Sequence, residues 1–431
     1  MTLMEISTDT LPMERAIVSE ANPGFFSAAT GQRDTVLIVG AAGANARHMD
    51  GAVRRLVAEH PVHGVDLRIP DDPEFPIPRE NMHIVGTPEA NGDQEVLELI
   101  KSGVVRAVYL SLVPSMHVQE IVKYLRHVGE GLIDFLVVPK PAVSNLEERR
   151  EVEAAVRAAR AQLRARTAGG AAIGSHRSLL YVHEHYQRKE AWDTLRQHLG
   201  EVSKHLGRLE SVTISIEEAA TAEGEGRVEA FERGAMDDLG PHTMSMALDV
   251  AHSLNTDRAY TVSSRPHATT VQRYRYADSE LPEGVETAFT VHGTTTITDH
   301  QRDGETHNVD FTMRGGKGLI NKKEATLTFI HPDTGKRSIV AVNLRTNELF
   351  VPDEVSSLFP PTTFSDNGYG KIVLDGLNGG DPDISFQHWS QARVVTKWGV
   401  DLAELGQGQL VIHERGLSLD ELAAATNLIA A

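Results

Sequence analysis

The sequence contains no cysteine, which excludes disulfide bonds, thiolate nucleophiles and cysteine-ligated metals and fits a reducing compartment. It also lacks any apolar run that approaches the ~18–20 residues of a membrane-spanning helix. Glu5, Asp9 and Glu14 interrupt the N-terminal apolar residues, whereas a secretory signal begins with a basic segment followed by an apolar core. We therefore expect a cytoplasmic protein that has no membrane partner.

Positive charge is scarce, because 42 Lys and Arg stand against 60 Asp and Glu and give a net charge of −18 with His neutral. This balance disfavours nucleic-acid binding, so a small anionic substrate would need a local group of basic side chains. The 431 residues include 40% hydrophobic and 24% charged residues, which is typical of globular proteins. At about 100–200 residues per domain, this length predicts two or three domains.

Short apolar runs alternate with amphipathic segments from residue 34 to about residue 168. Residues 35–39 form a continuous apolar run that ends at Gly, and the mostly apolar residues 133–138 end at Pro, as buried parallel strands do. A second strand is expected at 65–69. This alternation predicts an α/β domain with a Rossmann-like, doubly wound parallel sheet.

The pattern changes after residues 168–170, where Thr-rich alternating strands are interleaved with helical segments at 187–206 and 235–254. Such strands are typical of an antiparallel sheet with one face exposed to water. We therefore predict a C-terminal α+β domain with a large, mainly antiparallel sheet. The expected organisation is an N-terminal tail or arm over 1–33, a dinucleotide-binding domain over 34–175 and a substrate-binding domain over 176–431.

A glycine-containing turn follows the first apolar run and has the sequence Gly40-Ala41-Ala42-Gly43-Ala44-Asn45-Ala46. Glycines between a strand and a helix let the backbone approach a pyrophosphate at the helix N-terminus. The spacing is G-x-x-G rather than the full G-x-G-x-x-G, so an ordinary tight turn is the alternative. Its place after the first strand of an alternating region favours dinucleotide binding.

Two residues of the second predicted strand, Asp66 and Arg68, bear on the choice between NAD and NADP. An acid at this place hydrogen-bonds the ribose 2′-hydroxyl of NAD, whereas an Arg suits the 2′-phosphate of NADP. Arg47, at the start of the first predicted helix, would add positive charge. We expect NADP, with NAD as the alternative.

The densest polar segment is 183–189, with the sequence His-Glu-His-Tyr-Gln-Arg-Lys. If a helix begins near Tyr186, its free N–H groups face an anion, and His185 and Lys189 stand four residues apart on one side. The segment would then bind a phosphate group. A solvated basic helix start is the alternative.

A second polar group ends at His242 and includes Asp237 and Asp238. His is the side chain best suited to accept a proton near neutral pH, and Glu184, Asp237 or Asp238 could orient its ring. A purely structural His242 is one alternative. A metal site is another, although no H-x-x-E-H or similar spacing is present.

Lys317, Lys322 and Lys323 flank a Gly-rich segment at 314–318, which predicts a turn. These lysines could add positive charge to an anionic substrate site. An exposed hairpin with solvated lysines is the alternative.

Taken in order, these segments resemble glucose-6-phosphate dehydrogenase in a shortened form, from about residue 34 to residue 400. The glycine turn resembles the family's G-A-S-G-D-L-A, and 184–190 resembles D-H-Y-L-G-K-E. Residues 137–141 resemble V-V-E-K-P, 314–319 resemble R-C-G-K-A-L, and 369–375 resemble Y-E-R-L-L-L-D. The broader family of two-domain, dinucleotide-dependent sugar dehydrogenases is similar in outline.

The resemblance implies a role for each matching residue. His242 would take the proton from the C1 hydroxyl of a hexose phosphate, Glu184 would orient His242, and Lys140 would lie between the nicotinamide and the sugar. Pro141 would follow a cis bond. The implied substrate-binding residues are His185, Tyr186, Lys189, Glu218, Asp237, Lys317 and Lys322. The implied cofactor-binding residues are Gly40, Ala42, Gly43, Ala44, Asn45, Arg68, Pro114 and Lys140. No metal is implied, and we expect a homodimer or homotetramer.

The sequence departs from the family pattern at several positions: Pro139, Glu184 and Arg188 stand where the family has Glu, Asp and Gly, and Gly240-Pro241 replaces a polar pair before His242. These differences lie near the expected substrate, so a related phosphosugar or a cyclitol phosphate is an alternative to glucose 6-phosphate. Two further hypotheses stay open. One is a dehydrogenase of the same build that acts on an unphosphorylated sugar or another secondary alcohol, and the other is a dinucleotide-binding sensor or scaffold without catalysis.

Overall fold

The computed structural model describes residues 33–43, 49–86, 91–167, 178–219, 234–254, 260–276, 288–299, 305–318, 321–359, 364, 368–378, 382–389, 392–393, 395–396 and 410–417. These residues form two compact units. The first unit lies within Ala16–Arg188 and Asn367–Thr396, and the second lies within Lys189–Asp366 and Lys397–Ala431. The predicted domain boundary at 175/176 lies outside the described residues and stays a prediction, as does the N-terminal arm.

The elements of both units are numbered in chain order. The strands are β1 (Thr35–Val39), β2 (Val62–Asp66), β3 (Met82–Ile84), β4 (Val105–Leu110), β5 (Phe135–Pro139), β6 (Leu180–His183), β7 (Arg208–Ala219), β8 (Tyr260–Tyr276), β9 (Ala288–Asp299), β10 (Glu305–Gly318), β11 (Lys322–Ile330), β12 (Arg337–Asn343), β13 (Glu348–Phe350), β14 (Gln387–His388) and β15 (Leu410–Leu417). The α-helices are α1 (Asp50–Glu59), α2 (Gly92–Lys101), α3 (Pro114–Gly129), α4 (Leu146–Thr167), α5 (Glu190–Leu206), α6 (Gly234–Ser253), α7 (Asp353–Ser356), α8 (Tyr369–Leu377) and α9 (Pro382–Ser385). Within the described residues, no helix is both long enough and apolar enough to cross a membrane.

The first unit contains a seven-stranded sheet in the order β14-β6-β5-β4-β1-β2-β3. All neighbouring pairs are parallel except β14 with β6, so the predicted doubly wound parallel sheet is confirmed. β1 lies between β4 and β2, and the chain extends outward from this pair in both directions. The connections after β1 and β4 therefore diverge and leave a crevice at the carboxyl ends of these two strands.

Both faces of this sheet are covered, which explains why β1 and β5 are nearly continuous apolar runs. Leu37 and Val39 of β1 point to the core formed with α2, α3 and α4. Val36 and Ile38 point to the opposite core, which contains residues of α1 and of the C-terminal helix α8. All four side chains are at most 6% exposed.

The second unit contains an eight-stranded sheet in the order β13-β12-β11-β7-β10-β9-β8-β15. β7 with β10 and β8 with β15 are parallel pairs, and the remaining pairs are antiparallel. Burial alternates along β11, where Ala325, Leu327 and Phe329 are fully buried and the intervening Thr residues are half-buried. The predicted α+β domain with a mainly antiparallel sheet is confirmed.

The second strand of the first unit differs from its prediction, because β2 spans Val62–Asp66 rather than 65–69. Gly64 breaks the apolar pattern of β2 in the sequence, yet a Cβ atom there would lie 2.3 Å from the sulfur of Met82. Leu67 and Ile69 suggested a strand, but they are 63% and 37% exposed and lie beyond its end. Arg68 consequently follows the strand and is exposed.

Candidate functional site

The turn after β1 depends on glycine where it passes the end of β4. Gly40 has a φ of +79°, and a Cβ atom on it would lie 2.5 Å from the carbonyl oxygen of Ser111. The Gly43 N–H donates to the Gly40 carbonyl oxygen at 3.0 Å and closes the turn. Only glycine at position 40 permits both the left-handed conformation and this close approach. Ala44 and Asn45, which were also predicted to bind the cofactor, lie outside the described residues.

Asp66 connects the end of β2 to the same turn. Its Oδ2 atom accepts a hydrogen bond from the Ala42 N–H at 2.8 Å, and its Oδ1 atom accepts one from the Leu67 N–H at 2.7 Å. A carboxylate has about four acceptor positions, so two remain for hydroxyl donors. The negative charge of Asp66 is therefore fixed at the place where the two dinucleotides differ.

The segments that follow β4 and β5 contain the predicted residues Pro114, Lys140 and Pro141, and also His117, which was not predicted. Pro114 is the first residue of α3, and Lys140 follows β5 directly and is half-buried. The Lys140–Pro141 bond is cis, which confirms the expectation. The ring of His117 is fully buried, and its Nδ1 and Nε2 atoms lie 2.9 Å and 3.0 Å from the carbonyl oxygens of Pro141 and Leu112. His117 therefore links the segment after β4 to the segment after β5. The amphipathic pattern of its helix did not indicate this role.

The predicted helix start near Tyr186 is wrong. Residues Tyr186–Arg188 form a single 3₁₀ turn, and α5 begins at Glu190 with Lys189 at its N-cap position. The expected alignment of His185 and Lys189 on one helical face is therefore absent. Lys189 itself is 6% exposed, so it is a buried residue of the second unit rather than part of a solvated helix start.

The N-terminus of α5 already has a hydrogen-bond partner within the second unit. The Ala191 N–H donates to Oδ1 of Asn347 at 3.0 Å. Asn347 is 1% exposed and adopts a φ of +56°, a conformation that Asn tolerates better than most residues. The Asn347 side chain thus satisfies one of the N–H groups in the first turn of α5.

Four side chains of the first unit form a tyrosine–histidine cluster: Tyr109, His183, His185 and Tyr369. The hydroxyl groups of Tyr369 and Tyr109 lie 2.9 Å apart, and the Tyr109 hydroxyl lies 3.2 Å from Nδ1 of His183. The Tyr369 ring lies over His183 with ring centroids 4.1 Å apart, and its centroid is 5.5 Å from that of His185. Aromatic contacts of this kind contribute about 0.5–1.5 kcal/mol each.

Burial keeps both phenols of this cluster protonated. It raises the pKa of Tyr369 to about 12, with the Tyr109 hydrogen bond opposing and the negative charge of Glu184 adding to the shift. Burial, together with the charge and hydrogen bond of Tyr369, raises the pKa of Tyr109 well above its ordinary value. The two hydroxyl groups therefore act as neutral hydrogen-bond donors and acceptors at physiological pH.

Glu184, His185 and Tyr186 follow β6 directly. Glu184 is 1% exposed, and its Oε1 atom accepts a hydrogen bond from the Tyr186 N–H at 3.3 Å. Arg188, which was suspected to add charge to a phosphate site, donates instead to the carbonyl oxygen of Phe386 at 2.8 Å. Glu184 and His242 belong to different units, and their expected pairing stays a prediction.

His242 lies on α6 in the second unit, and its ring is 2% exposed. Asp238, one turn earlier, forms an ion pair with Lys317 at 3.1 Å. The side chain of Asp237 lies outside the described residues, so its predicted contact with sugar hydroxyl groups stays a prediction.

The Gly-rich turn predicted at 314–318 is wrong, because these residues form the end of β10. A Cβ atom on Gly315 would lie 2.2 Å from the ring of Phe289 on β9, so the missing side chain makes room for this ring. The adjacent Lys317 is 4% exposed rather than solvated. Lys322, at the start of β11, pairs with Glu324 at 2.6 Å and is exposed.

Glu218, Asp238, Lys317 and Lys323 form a charged cluster at one end of the second sheet. Lys317 pairs with Asp238, and Lys323 pairs with Glu218 at 2.9 Å. Lys317 and Glu218 are also register partners on β10 and β7. The cluster contains two positive and two negative charges, so it offers both donors and acceptors without a net charge.

No protein-family model and no curated protein sequence matches this chain. Solved structures do match it. Glucose-6-phosphate 1-dehydrogenase from Mycobacterium avium has a TM-score of 0.59 and 16% identity, over 89% of this chain and 95% of that chain. Levoglucosan dehydrogenase in complex with NADH and levoglucosan has a TM-score of 0.52 and 14% identity, over 88% of this chain and 98% of that chain. Aldose–aldose oxidoreductase from Caulobacter crescentus, complexed with glycerol, has a TM-score of 0.51 and 13% identity, over 88% of this chain and 98% of that chain. At these identities the similarity shows a shared fold.

Proposed function

We propose that this protein is a nicotinamide-dependent dehydrogenase that oxidises a secondary hydroxyl group of an unphosphorylated sugar or cyclitol, with NAD as its preferred cofactor. The observation that carries the proposal is the hydrogen bond from the Ala42 N–H to Asp66 at 2.8 Å. It fixes a carboxylate beside the glycine turn at the β1–β4 crevice, where a ribose 2′-hydroxyl would donate to it. The levoglucosan dehydrogenase of the same fold is described in complex with NADH, which supports this choice.

The charged cluster supports an uncharged substrate. Each of Lys317 and Lys323 already faces a carboxylate, so a phosphate dianion would have to displace Asp238 or Glu218. Sugar hydroxyl groups both donate and accept hydrogen bonds, and they can bind to such pairs without separating them. Two sugar-related enzymes share the fold, which is consistent with this class of substrate.

The proposed reaction needs a base near the hydroxyl group, and we assign this role to His242. A bound NAD would supply the hydride acceptor for the carbon atom that carries the hydroxyl group. His242 takes the hydroxyl proton, and a neutral imidazole does so near physiological pH. Lys140 is proposed to donate a hydrogen bond to the hydroxyl oxygen and His185 to bind a neighbouring hydroxyl group, while Gly40 lets the backbone approach the pyrophosphate.

The second candidate is oxidation of C1 of a hexose phosphate with NADP. The motif resemblance and the shared fold with the Mycobacterium avium enzyme favour it. In that case Lys189, Lys317 and Lys322 would hold the phosphate and Arg68 the 2′-phosphate of the cofactor. Lys189→Ala separates the candidates, because it should raise the KM steeply only for a phosphorylated substrate.

The test is a panel of sugars and cyclitols, each with its phosphate ester, assayed with NAD and with NADP by nicotinamide absorbance. Activity with NAD and unphosphorylated substrates supports the first candidate, and activity confined to phosphate esters with NADP supports the second. His242→Asn should abolish turnover while NADH still binds, as measured by fluorescence titration. His198→Asn is the matched control, because His198 lies on α5 outside the proposed site and its Nδ1 atom lies 2.9 Å from the carbonyl oxygen of Thr194. Turnover by His242→Asn close to that of the control would remove His242 from this role.

A further inference from the structure

The chain returns to the first unit after the second unit is complete, and this return segment spans residues 368–396. It places Tyr369 and Phe386 in contact with the residues at the end of β6. β14 of the segment pairs with β6, with Gln387 opposite Val182. Phe386 packs against the edge of the His183 ring at a centroid distance of 5.8 Å and an interplanar angle of 83°.

Tyr369 contacts His185 through its ring. His185 packs against Tyr186 at a centroid distance of 4.0 Å and against Tyr369 at 5.5 Å, with the ring of His183 at 6.2 Å. Three rings therefore surround one imidazole. A side chain enclosed in this way loses little rotational freedom when a ligand binds, because its orientation is already fixed.

The hydroxyl group of Tyr369 fixes the position of its own ring. It lies 2.9 Å from the Tyr109 hydroxyl, which lies 3.2 Å from Nδ1 of His183. Tyr109 and His183 are both fully buried, on β4 and at the end of β6, with β5 between these two strands. The ring of Tyr369 is therefore anchored to rigid strands on one side and contacts His185 on the other.

From these contacts we propose that Tyr369 is a positioning residue that orients the imidazole of His185 for a sugar hydroxyl group. This inference rests on the proposed function, in which His185 binds the substrate. Tyr369 acts through His185 and takes no part in hydride or proton transfer. The return segment thereby supplies part of the substrate-binding apparatus of the first unit, in addition to closing the edge of its sheet.

The test compares Tyr369→Leu, Tyr369→Phe and Tyr124→Leu in the full chain. Tyr124→Leu is the matched control, because Tyr124 is a fully buried tyrosine in the core on the opposite face of the same sheet. We expect Tyr369→Leu to raise the sugar KM about tenfold with the NAD KM unchanged, since it loses one well-oriented hydrogen bond to the substrate. Tyr369→Phe keeps the ring but loses its hydroxyl contact with Tyr109, so its sugar KM should lie between those of the wild type and Tyr369→Leu. An unchanged sugar KM in Tyr369→Leu, or an equal rise in Tyr124→Leu, overturns the proposal.

Hydrogen exchange measured by mass spectrometry provides a readout that needs no substrate. Peptides that cover 180–188 should exchange faster in Tyr369→Leu than in Tyr124→Leu, because only the first variant releases His185. Equal exchange in the two variants overturns the positioning role. If none of the sugars or cyclitols supports NAD reduction by the wild type, the proposed function is overturned. The positioning role is still tested in that case, because the exchange comparison decides whether Tyr369 holds this segment.

Discussion

Replacement of Asp66 by Ala should reverse the cofactor preference. Asp66 accepts hydrogen bonds from the N–H groups of Ala42 and Leu67 at 2.8 Å and 2.7 Å, so its carboxylate is held in place before a cofactor binds. A hydrogen bond to a charged group contributes about 1.5–3 kcal/mol. Loss of the bond from the ribose 2′-hydroxyl should therefore weaken NADH binding by about 10- to 150-fold.

The same replacement should strengthen NADPH binding. The carboxylate of Asp66 and a 2′-phosphate carry charges of the same sign, and their repulsion ends when the carboxylate is removed. Fluorescence titration with NADH and NADPH measures both dissociation constants without a known sugar. Asp71→Ala is the matched control, because Asp71 is an exposed acid five positions further along the chain.

Arg68→Ala completes this experiment. If Arg68 recognises a 2′-phosphate, its removal should weaken NADPH binding about tenfold. We expect instead that NADPH binding, like NADH binding, stays within about twofold of the wild type, because Arg68 lies beyond β2 and is exposed. A wild type that binds NADPH more tightly than NADH, together with an unchanged ratio in Asp66→Ala, would refute this account of Asp66.

Two further predictions concern the end of β10. Gly315→Ala should lower the free energy of unfolding by about 1–3 kcal/mol, because the new Cβ atom would overlap the buried ring of Phe289. Gly316→Ala is its control and should be nearly neutral, since a Cβ atom there lies at an ordinary contact distance; urea denaturation measures both, and equal losses would contradict the packing argument. Lys317→Met should cost about 1.5–3 kcal/mol, because it removes the buried cation that pairs with the partly exposed Asp238, and a loss below about 1 kcal/mol in the same assay would show that the ion pair contributes little.

The sequence predicts the strands of the first unit well where both faces of the strand are buried and the strand is therefore apolar throughout. β1 and β5 are continuous apolar runs because both faces of their sheet are covered. β2 was displaced in the prediction because Gly64 packs without a side chain and Leu67 is apolar although exposed. Hydrophobic periodicity therefore mispredicted β2 at two kinds of position: Gly64, which is buried without a side chain, and Leu67, which is apolar but exposed to solvent.

The candidate site was predicted less completely, since its contacts join distant parts of the chain. The glycine turn was predicted after the first strand, because strand-to-helix turns have local rules, and Asp66 was one of two residues considered for cofactor choice, although the prediction favoured Arg68. Asn347 and Tyr369 were not identified as partners of α5 and His185. A two-residue strand such as β14 has no period, so periodicity could not predict that Gln387–His388 would pair with β6 in the first sheet.

This late return of the chain has a consequence during synthesis. Arg188 and Phe386 form a hydrogen bond although they are 198 residues apart. At ~5–20 residues per second, the ribosome adds the missing segment about 10–40 s after β6 has emerged. Until then β6 is an unpaired edge, and the ring of Tyr181 lacks its neighbour Phe386. Nascent chains stalled before residue 368 should therefore be the species most prone to aggregate or to recruit chaperones.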